Sequence, residues 1–580
     1  MSGLLAALWL VGLFLAAPAL RAGKNYAVAD RLRDGLILGV AIPFGLGAVH
    51  LLYPPACWAA LCALVVVAYV RSLASGPPRD GGRAPYLLVA ALAAVAWPQL
   101  IRPLLDGDSL SYHLPNAAAW VHAHSLWTTA THYWWYPPAS ELFASGLYAV
   151  ASPFALPWSG VGALALLGFR IFNWSRGRLA VSPLLADALA AATVTAFPLA
   201  IQGATLQNDV WLAAFWLETL YWLTTEPWNA AAARSASVTV LLKPQGVLLT
   251  ALALALAKAP PRVWLAAGAA FAAWVAHDAL LWQRGGVAGA PFAGTGYWAS
   301  TILAHGLPAI GTFVRVAAAA SPFALLAFVA ALFAPLIERK RRALGWAAFG
   351  AALIFFVLPF GYATAVAQLA TGASLRFAAP AIATGAVILA RPARRVPALA
   401  TMLLVASTLF GIGAVLAVFW NDGSTHVAAP VALLTAGIAA LAYRFRAQWL
   451  WPAAAIAAVV VATHLAARHP LDYYSDALRV GSTPPGIYRW IASQRPSAIG
   501  GWGVRLGVIN VLSPATRTVD LPDGSPCSGA AQNGALLVAV AQADLAPAEN
   551  ARRLAVARYC GATLYSDAIG VVVKPSRTAR

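Results

Sequence analysis

The run LLDGDSLSYHLPNAAAWVHAHSLW, Leu104 to Trp127, sets Asp106, Asp108, Tyr112 and His113 in close succession between strongly apolar stretches. Further along stand YPPASELFASGLYAV with Glu141, GATLQNDVWLAAFW with Asp209, LLKPQG with Lys243 and SLRFAAP with Arg376. A carboxylate beside a hydroxyl can take its proton as a new bond forms. A fixed cation can stabilise an anion as it leaves. Together these residue types suit transfer of a group onto a hydroxyl.

Each of these residues also has a bland use. Aspartate commonly caps helices, and SLSYHLP opens one, so Asp108 and Asp106 each have a capping alternative. His113 reads equally as a buried hydrogen-bonding residue. Tyr112 follows Asp108 by one helical turn and is placed to orient it. His122, His124 and His132 have no tetrahedral ligand spacing, so a structural metal is not expected. A divalent cation shared by Asp209 with Asp106 or Asp108 is the only metal alternative. Asp187 and Glu218 lie deeper in apolar runs and read as paired structural groups.

The elements that must hold these residues are membrane helices. Of the 580 residues, 61% are hydrophobic and only 10% charged, and the mean hydropathy is +0.71. A soluble domain carries about 25% charged residues. Apolar runs recur from Leu4 to Ala467, many long enough to cross a ~30 Å hydrocarbon core. In that core the chain must satisfy its own backbone groups, so the runs are expected to be helices.

The formal charge of +19 marks topology rather than a nucleic-acid partner. Basic clusters recur at alternate loops: Arg21 to Arg33, Arg71 to Arg83, Arg170 to Arg178, Arg234, Lys258 and Arg262, Arg339 to Arg342, Arg391 to Arg395, Arg444 and Arg446. By the positive-inside rule these are cytoplasmic. Spans near Leu4–Leu20, Gly35–Tyr53, Ala56–Val70 and Tyr86–Ile101 then place Asp106 to Tyr136 outside. The first span reads as a retained helix rather than a cleaved leader, because no basic segment precedes it.

Parity also requires departures from simple crossing. The segment Tyr136 to Val150 is expected to be re-entrant or interfacial. Two short helices, Ala230–Leu242 and Gly246–Ala257, should meet at Lys243-Pro244-Gln245-Gly246, where proline and glycine break the helix near the outer face. Single spans are expected at Trp158–Phe172, Pro183–Ile201, Asp209–Thr224, Val263–Trp282, Val316–Ile337, Ala343–Phe360, Phe377–Ala390, Pro397–Trp420, Ala428–Tyr443 and Trp449–Ala467. About sixteen membrane helices result, re-entrant ones included, with Asp106, Asp108, Glu141, Asp209, Lys243, Arg376, His277 and Asp278 all towards the outer side. Ionisable groups at such depth tend to face cavities or pathways. Trp127, Trp134, Trp135, Tyr297 and Trp298 can anchor the outer interface or stack on a sugar or prenyl group.

From about Pro470 the composition becomes that of a soluble domain. PPGIYRWIASQ reads as a helix, GALLVAVAQ as a buried strand, AENARRLAVARYCG as an amphipathic helix and ATLYSDAIGVVVKP as a hairpin. A small α/β domain on the outer face is expected, with GGWGVRLG too weak a glycine signal for a dinucleotide site. In an oxidising compartment its Cys527 and Cys560 are expected to bridge, two free thiols being the alternative. Cys57 and Cys62 read as packing residues.

In that order DSLSYHLPNAAAW, YPPASEL, NDVWLAAF, LLKPQG and SLRFAAP resemble the GT-C superfamily of lipid-dependent glycosyltransferases. Within it they resemble bacterial relatives of protein O-mannosyltransferases and of the lipid A aminoarabinose transferase. The resemblance runs from about Tyr86 to Pro380. It implies a bacterial inner-membrane, multi-pass hexosyl- or pentosyltransferase, with a polyprenyl-phosphate sugar as donor and a glycan, lipid or protein hydroxyl as acceptor. It further implies that Asp108 acts on the acceptor, that Asp209 is the second outer acidic position, and that Lys243 and Arg376 meet the donor phosphate; beside these, the residues themselves offer Asp106 as an alternative base and Tyr112, His113 and Glu141 as supports. Where some relatives carry an acidic and a basic residue before the double proline, this chain has Trp135 and Tyr136. The organisation that follows is 1–85, additional membrane helices; 86–469, a GT-C-like catalytic region; and 470–580, a periplasmic α/β domain. No cofactor is expected. A glycan ligase or polymerase, or a flippase of lipid-linked sugars, are the alternatives. A transporter would place its charges at the midplane and show repeated halves.

Overall fold

The computed structural model describes residues 1–20, 27–73, 85–129, 131, 133–283, 296–297, 307–357, 359–360, 373–419, 450–468, 470, 486–502, 504–521, 524–541, 547–567 and 569–576. The expected span Ala428–Tyr443, and with it Trp298 and His132, lie outside the described residues.

The membrane region is helical, as an apolar chain without water must be. Among the described residues five helical stretches are long and apolar enough to cross a bilayer: Ser2–Leu20, Pro54–Arg71, Pro153–Arg178, Pro261–Gln283 and Pro397–Phe419. Shorter apolar helices fill the space between them, among them Tyr86–Leu100, Pro183–Val194, Pro244–Leu256 and Arg342–Val357. The result is a multi-pass helical membrane protein.

Two expected spans are broken. Pro183–Ile201 stops at Val194 and resumes as the short helix Phe197–Ala200, because Pro198 has no N–H to continue the ladder. Val316–Ile337 is divided at Ser321, whose hydroxyl accepts from Ala324 N and caps the helix Pro322–Leu332. The segment Ala139–Val150 is a helix buried almost throughout inside the protein, so its glutamate meets protein groups rather than lipid.

The break at Lys243 is made as its residues dictate. Helix Ala230–Val240 ends, Lys243 is extended at φ −156° and ψ 156°, and Pro244 starts the helix that runs to Leu256. The carbonyls freed by the break find donors: Ala139 N reaches Leu241 O at 2.8 Å, and Asn208 Nδ2 reaches Leu242 O at 2.7 Å. A broken helix is tolerated at this depth only when protein satisfies it in this way. At Gly246 a Cβ would lie 2.1 Å from Thr239 O, so glycine is what lets the two half-helices approach.

Of the arginines in the basic clusters, Arg33 and Arg170 are buried and Arg234 is partly buried. Arg170 bonds Glu218 at 2.6 Å and Asp30 at 2.7 Å. Arg33 bonds Asp34 at 2.9 Å and faces Glu218 at 3.7 Å, and Arg234 approaches Asp34 at 3.5 Å. Three carboxylates and three guanidiniums thus join helices Val28–Ala48, Trp158–Arg178, Asp209–Thr225 and Ala230–Val240. Glu218 is a paired structural group. Asp187 instead caps a neighbouring helix, accepting from Leu87 N and Leu88 N at 3.0 and 2.8 Å.

The C-terminal domain is a five-stranded mixed sheet. Strands β1 (Ala498–Trp502), β2 (Arg517–Asp520), β3 (Leu536–Val540), β4 (Gly561–Ser566) and β5 (Gly570–Pro575) lie in the order β2-β1-β3-β5-β4. The first three are parallel, and β5 is antiparallel to β3 and β4. Valines 571 to 573 and Leu537 to Ala539 are fully buried, as a sheet covered on both faces requires. Cys527 and Cys560 form a disulfide with Cα atoms 5.2 Å apart. GGWGVRLG runs from the end of strand β1 into a helix, Leu506–Leu512. Gly507 there faces a neighbouring helical turn, since a Cβ would meet Leu110 Cα and O at 2.6 Å.

Candidate active site

Pro115, without an N–H, cannot complete the helical bond to Ser111, and the turn before it is wide. Ser109–His113 is one π-helical turn in which Leu114 N donates to Ser109 O; such turns frequently occur at functional sites. The turn leads into helix Leu114–His122. Asp106 closes its start: Oδ1 accepts from Ser109 N at 2.8 Å and from Gln207 Nε2 at 3.2 Å. Ser109 Oγ in turn accepts from Leu206 N at 2.9 Å. The capping role open to either aspartate belongs to Asp106, because Asp108 makes no side-chain cap bond.

Asp108 is thereby left to face the bundle. Its Oδ2 accepts from Arg376 Nη2 at 2.5 Å. Arg376 sits on the 3₁₀ segment Ala373–Ala378, and its Nε lies 3.8 Å from Asp209 Oδ2. Asp209, first residue of its helix, accepts from Lys243 Nζ. Lys243 Nζ and the Arg376 guanidinium both stand 5.0 Å from the Phe377 ring. Two carboxylates and two cations from four separate elements form one chain.

Their exposure divides them. The Asp108 and Arg376 side chains are 30% and 22% exposed, whereas Asp209 and Lys243 are 1% and 6% exposed. The first pair is the accessible one, and the second lies behind it. Burial pushes the Asp108 carboxyl up, but Arg376, with His113 and Lys243, outweighs that and holds it below its ordinary value. Burial alone would lower Arg376; Asp108 and Asp209 keep it above the ordinary arginine range. Asp106 shifts the other way, raised by burial more than the Ser109 hydrogen bonds lower it.

His113 and Glu141 are buried together, Nδ1 to Oε1 at 2.6 Å, and Ser140 Oγ donates to Glu141 at 2.8 Å. They fasten the π-turn to helix Ala139–Val150. Tyr112 makes no hydrogen bond to Asp108 among the described residues; its ring lies 4.1 Å from His113, 4.8 Å from Tyr133 and 5.7 Å from Tyr136. Arg376, rather than Tyr112, orients the carboxylate. Burial, then the charge of Asp108, pushes the Tyr112 phenol well above its ordinary value, and burial with Asp209 does the same for Tyr136. This tyrosine cluster escaped the sequence reading, although Tyr133 and Tyr136 flank the double tryptophan.

Other expected members lie elsewhere. His277 bonds Asp278 at 3.0 Å and Leu126 O at 3.1 Å, beside Trp127. Trp134 is buried, and Trp127 Nε1 donates to Ala48 O at 2.9 Å, which makes it an anchor. His124 stacks on Tyr53 at 3.8 Å. His122 Nε2 lies 2.8 Å from Pro514 O, which also accepts from Tyr148 Oη at 2.8 Å. With Gly507 on Leu110, these bonds seat the C-terminal domain directly on the turn that carries Asp108.

No family model and no curated protein matches this chain. Among solved structures it is similar to ArnT from Cupriavidus metallidurans bound to undecaprenyl phosphate, at 14% identity and a TM-score of 0.47, over 84% of this chain and 97% of that one. ArnT from the same organism in the apo state is similar at 15% identity and a TM-score of 0.46, over 85% of this chain and 98% of that one.

Proposed function

We propose that this protein is a membrane glycosyltransferase that moves a sugar from a polyprenyl-phosphate donor to an acceptor hydroxyl at the outer face of a bacterial inner membrane. The reading is supported above all by the partly exposed Asp108 carboxylate held against Arg376 in an apolar helical protein. The motif order around these residues supports the same chemistry.

In the step proposed, the acceptor oxygen attacks the anomeric carbon and its proton passes to Asp108. The bond from that carbon to the phosphate oxygen breaks, and prenyl phosphate leaves with one more negative charge than it had as a diester. Arg376 meets that charge. A cation in a partly desolvated groove does so more strongly than one in water. Asp209 holds Arg376 from behind, and Lys243 balances Asp209. When Arg376 turns to the phosphate, Asp108 loses its counter-charge and gains an anionic neighbour, so its proton affinity rises as the base is needed. The positive charge that meets the leaving phosphate comes from side chains. The C-terminal domain, in this topology periplasmic, covers the acceptor side of the π-turn.

The test is conversion. Lipid-linked sugars extracted from bacterial membranes, supplied to purified protein with a mixed acceptor extract, should yield free prenyl phosphate. Release that is absent, or equal with the Asp108→Asn variant, would overturn the reading.

A further inference from the structure

At the end of the bundle opposite the active site, the same helices frame a second polar feature. Asp209 begins one helix and Lys243 precedes another. The far ends of those helices, about 20–25 Å away at 1.5 Å per residue, line a cavity of about 370 Å³. Its wall carries Arg178, Lys258, Lys340, Arg341 and Arg342. Trp174, Leu256 and Leu344 supply an apolar side.

Little on the protein balances these cations. Glu226 stands 4.0 Å from Arg178, and the nearby Glu338 is taken by Arg391 at 2.9 Å. Lys258, Lys340 and Arg342 make no ion pair among the described residues. Arg341 is tied by Nη2 to Arg178 O at 3.1 Å, which fixes one guanidinium across the opening. Burial, with the like charges of Arg391 and Arg178 beside it, pulls Arg341 below the ordinary arginine range in spite of Glu338. The cavity is thus short of negative charge.

We propose that this cavity binds the headgroup of one anionic phospholipid of the cytoplasmic leaflet. Arginine and lysine match phosphate oxygens in charge and donor geometry. The cavity lies at helix ends, the level of lipid headgroups, and basic pockets between membrane helices suit such headgroups. Its apolar side fits the start of an acyl chain, which inorganic phosphate lacks. Cations that only set topology need no cavity between them; here they surround one.

The test counts lipids retained by the whole purified protein in native mass spectrometry, titrated with dioctanoyl phosphatidylglycerol, dioctanoyl phosphatidylcholine or inorganic phosphate. One phosphatidylglycerol should be retained at least ~10-fold more tightly than phosphatidylcholine, and phosphate at millimolar concentration should not displace it. The Lys258→Gln, Lys340→Gln, Arg342→Gln triple variant should lose that preference. A control lacking Arg31, Arg262 and Arg395, cations of the same predicted face but outside the cavity, should keep it. Equal retention of the two lipids, an unchanged preference in the cavity variant, the same loss in the control, or displacement by phosphate would each overturn the proposal.

Discussion

One guanidinium spans two carboxylates: Arg376 Nη2 lies 2.5 Å from Asp108 Oδ2, and Arg376 Nε lies 3.8 Å from Asp209 Oδ2. Asp108 and Arg376 are 268 residues apart in the chain. The partly exposed Asp108 stands at one end of this arrangement, and the buried Lys243 closes the other.

The two neighbouring aspartates should therefore separate on substitution. Asp108→Asn keeps the shape and removes the proton acceptor, so transfer should fall by ~10²-fold or more. Asp106→Asn retains an oxygen for Ser109 N and should stay within a few-fold of the parent. Turnover of both variants in the same membranes checks this, and the reverse ranking would exchange their roles.

The pH dependence follows from the charge chain. Asp108 must be ionised to act as base, and Arg376 keeps its proton affinity low in the free enzyme. The acidic limb of kcat/KM should then lie below the ordinary aspartate range. Arg376→Gln removes the largest lowering influence, so the limb should move to higher pH as the rate falls. A limb at the same pH in both proteins would detach Asp108 from Arg376.

Gly507 links the C-terminal domain to the π-turn that carries Asp108. A Cβ there meets Leu110 backbone at 2.6 Å, and backbone cannot swing aside as a flexible side chain does. Gly507→Ala should lower kcat several-fold with donor KM nearly unchanged, while Cys527 and Cys560 stay unreactive to thiol labelling. An unaltered kcat would show that the domain does not set the position of Asp108.

The buried ion network is predicted to serve folding rather than chemistry. Glu218→Gln leaves Arg170 and Arg33 short of charge in a dry interior, a change that costs about 3–5 kcal/mol. Thermal unfolding in detergent should shift down clearly, with turnover per folded molecule retained. Lost turnover without lost stability would contradict this assignment.

Much of this was legible in the sequence, for identifiable reasons. Lys243-Pro244 marks a helix break because proline cannot continue the ladder, and the structure breaks there. The strand, helix and hairpin of the C-terminal domain follow its period of apolar residues. The division of labour between Asp106 and Asp108 was not legible, because they lie three and one positions before the same turn and only the fold shows which reaches Ser109 N. The burial of Arg33 and Arg170 was not legible for a different reason: counting basic residues by loop cannot see the acidic partners Asp30, Asp34 and Glu218 that allow it. Pro198 and Ser321 broke spans that apolar length alone joined. Gly507 carried no signal, since its constraint lies in a residue nearly four hundred positions away.

The most direct test of glycosyl transfer with Asp108 as base is mass spectrometry of the lipids that co-purify with the Asp108→Asn protein. A variant that binds donor without consuming it should retain intact polyprenyl-phosphate sugar, while the parent protein carries mainly prenyl phosphate released by turnover. Prenyl-linked sugar absent from both proteins, or the same lipids in the same proportions on each, would contradict the account.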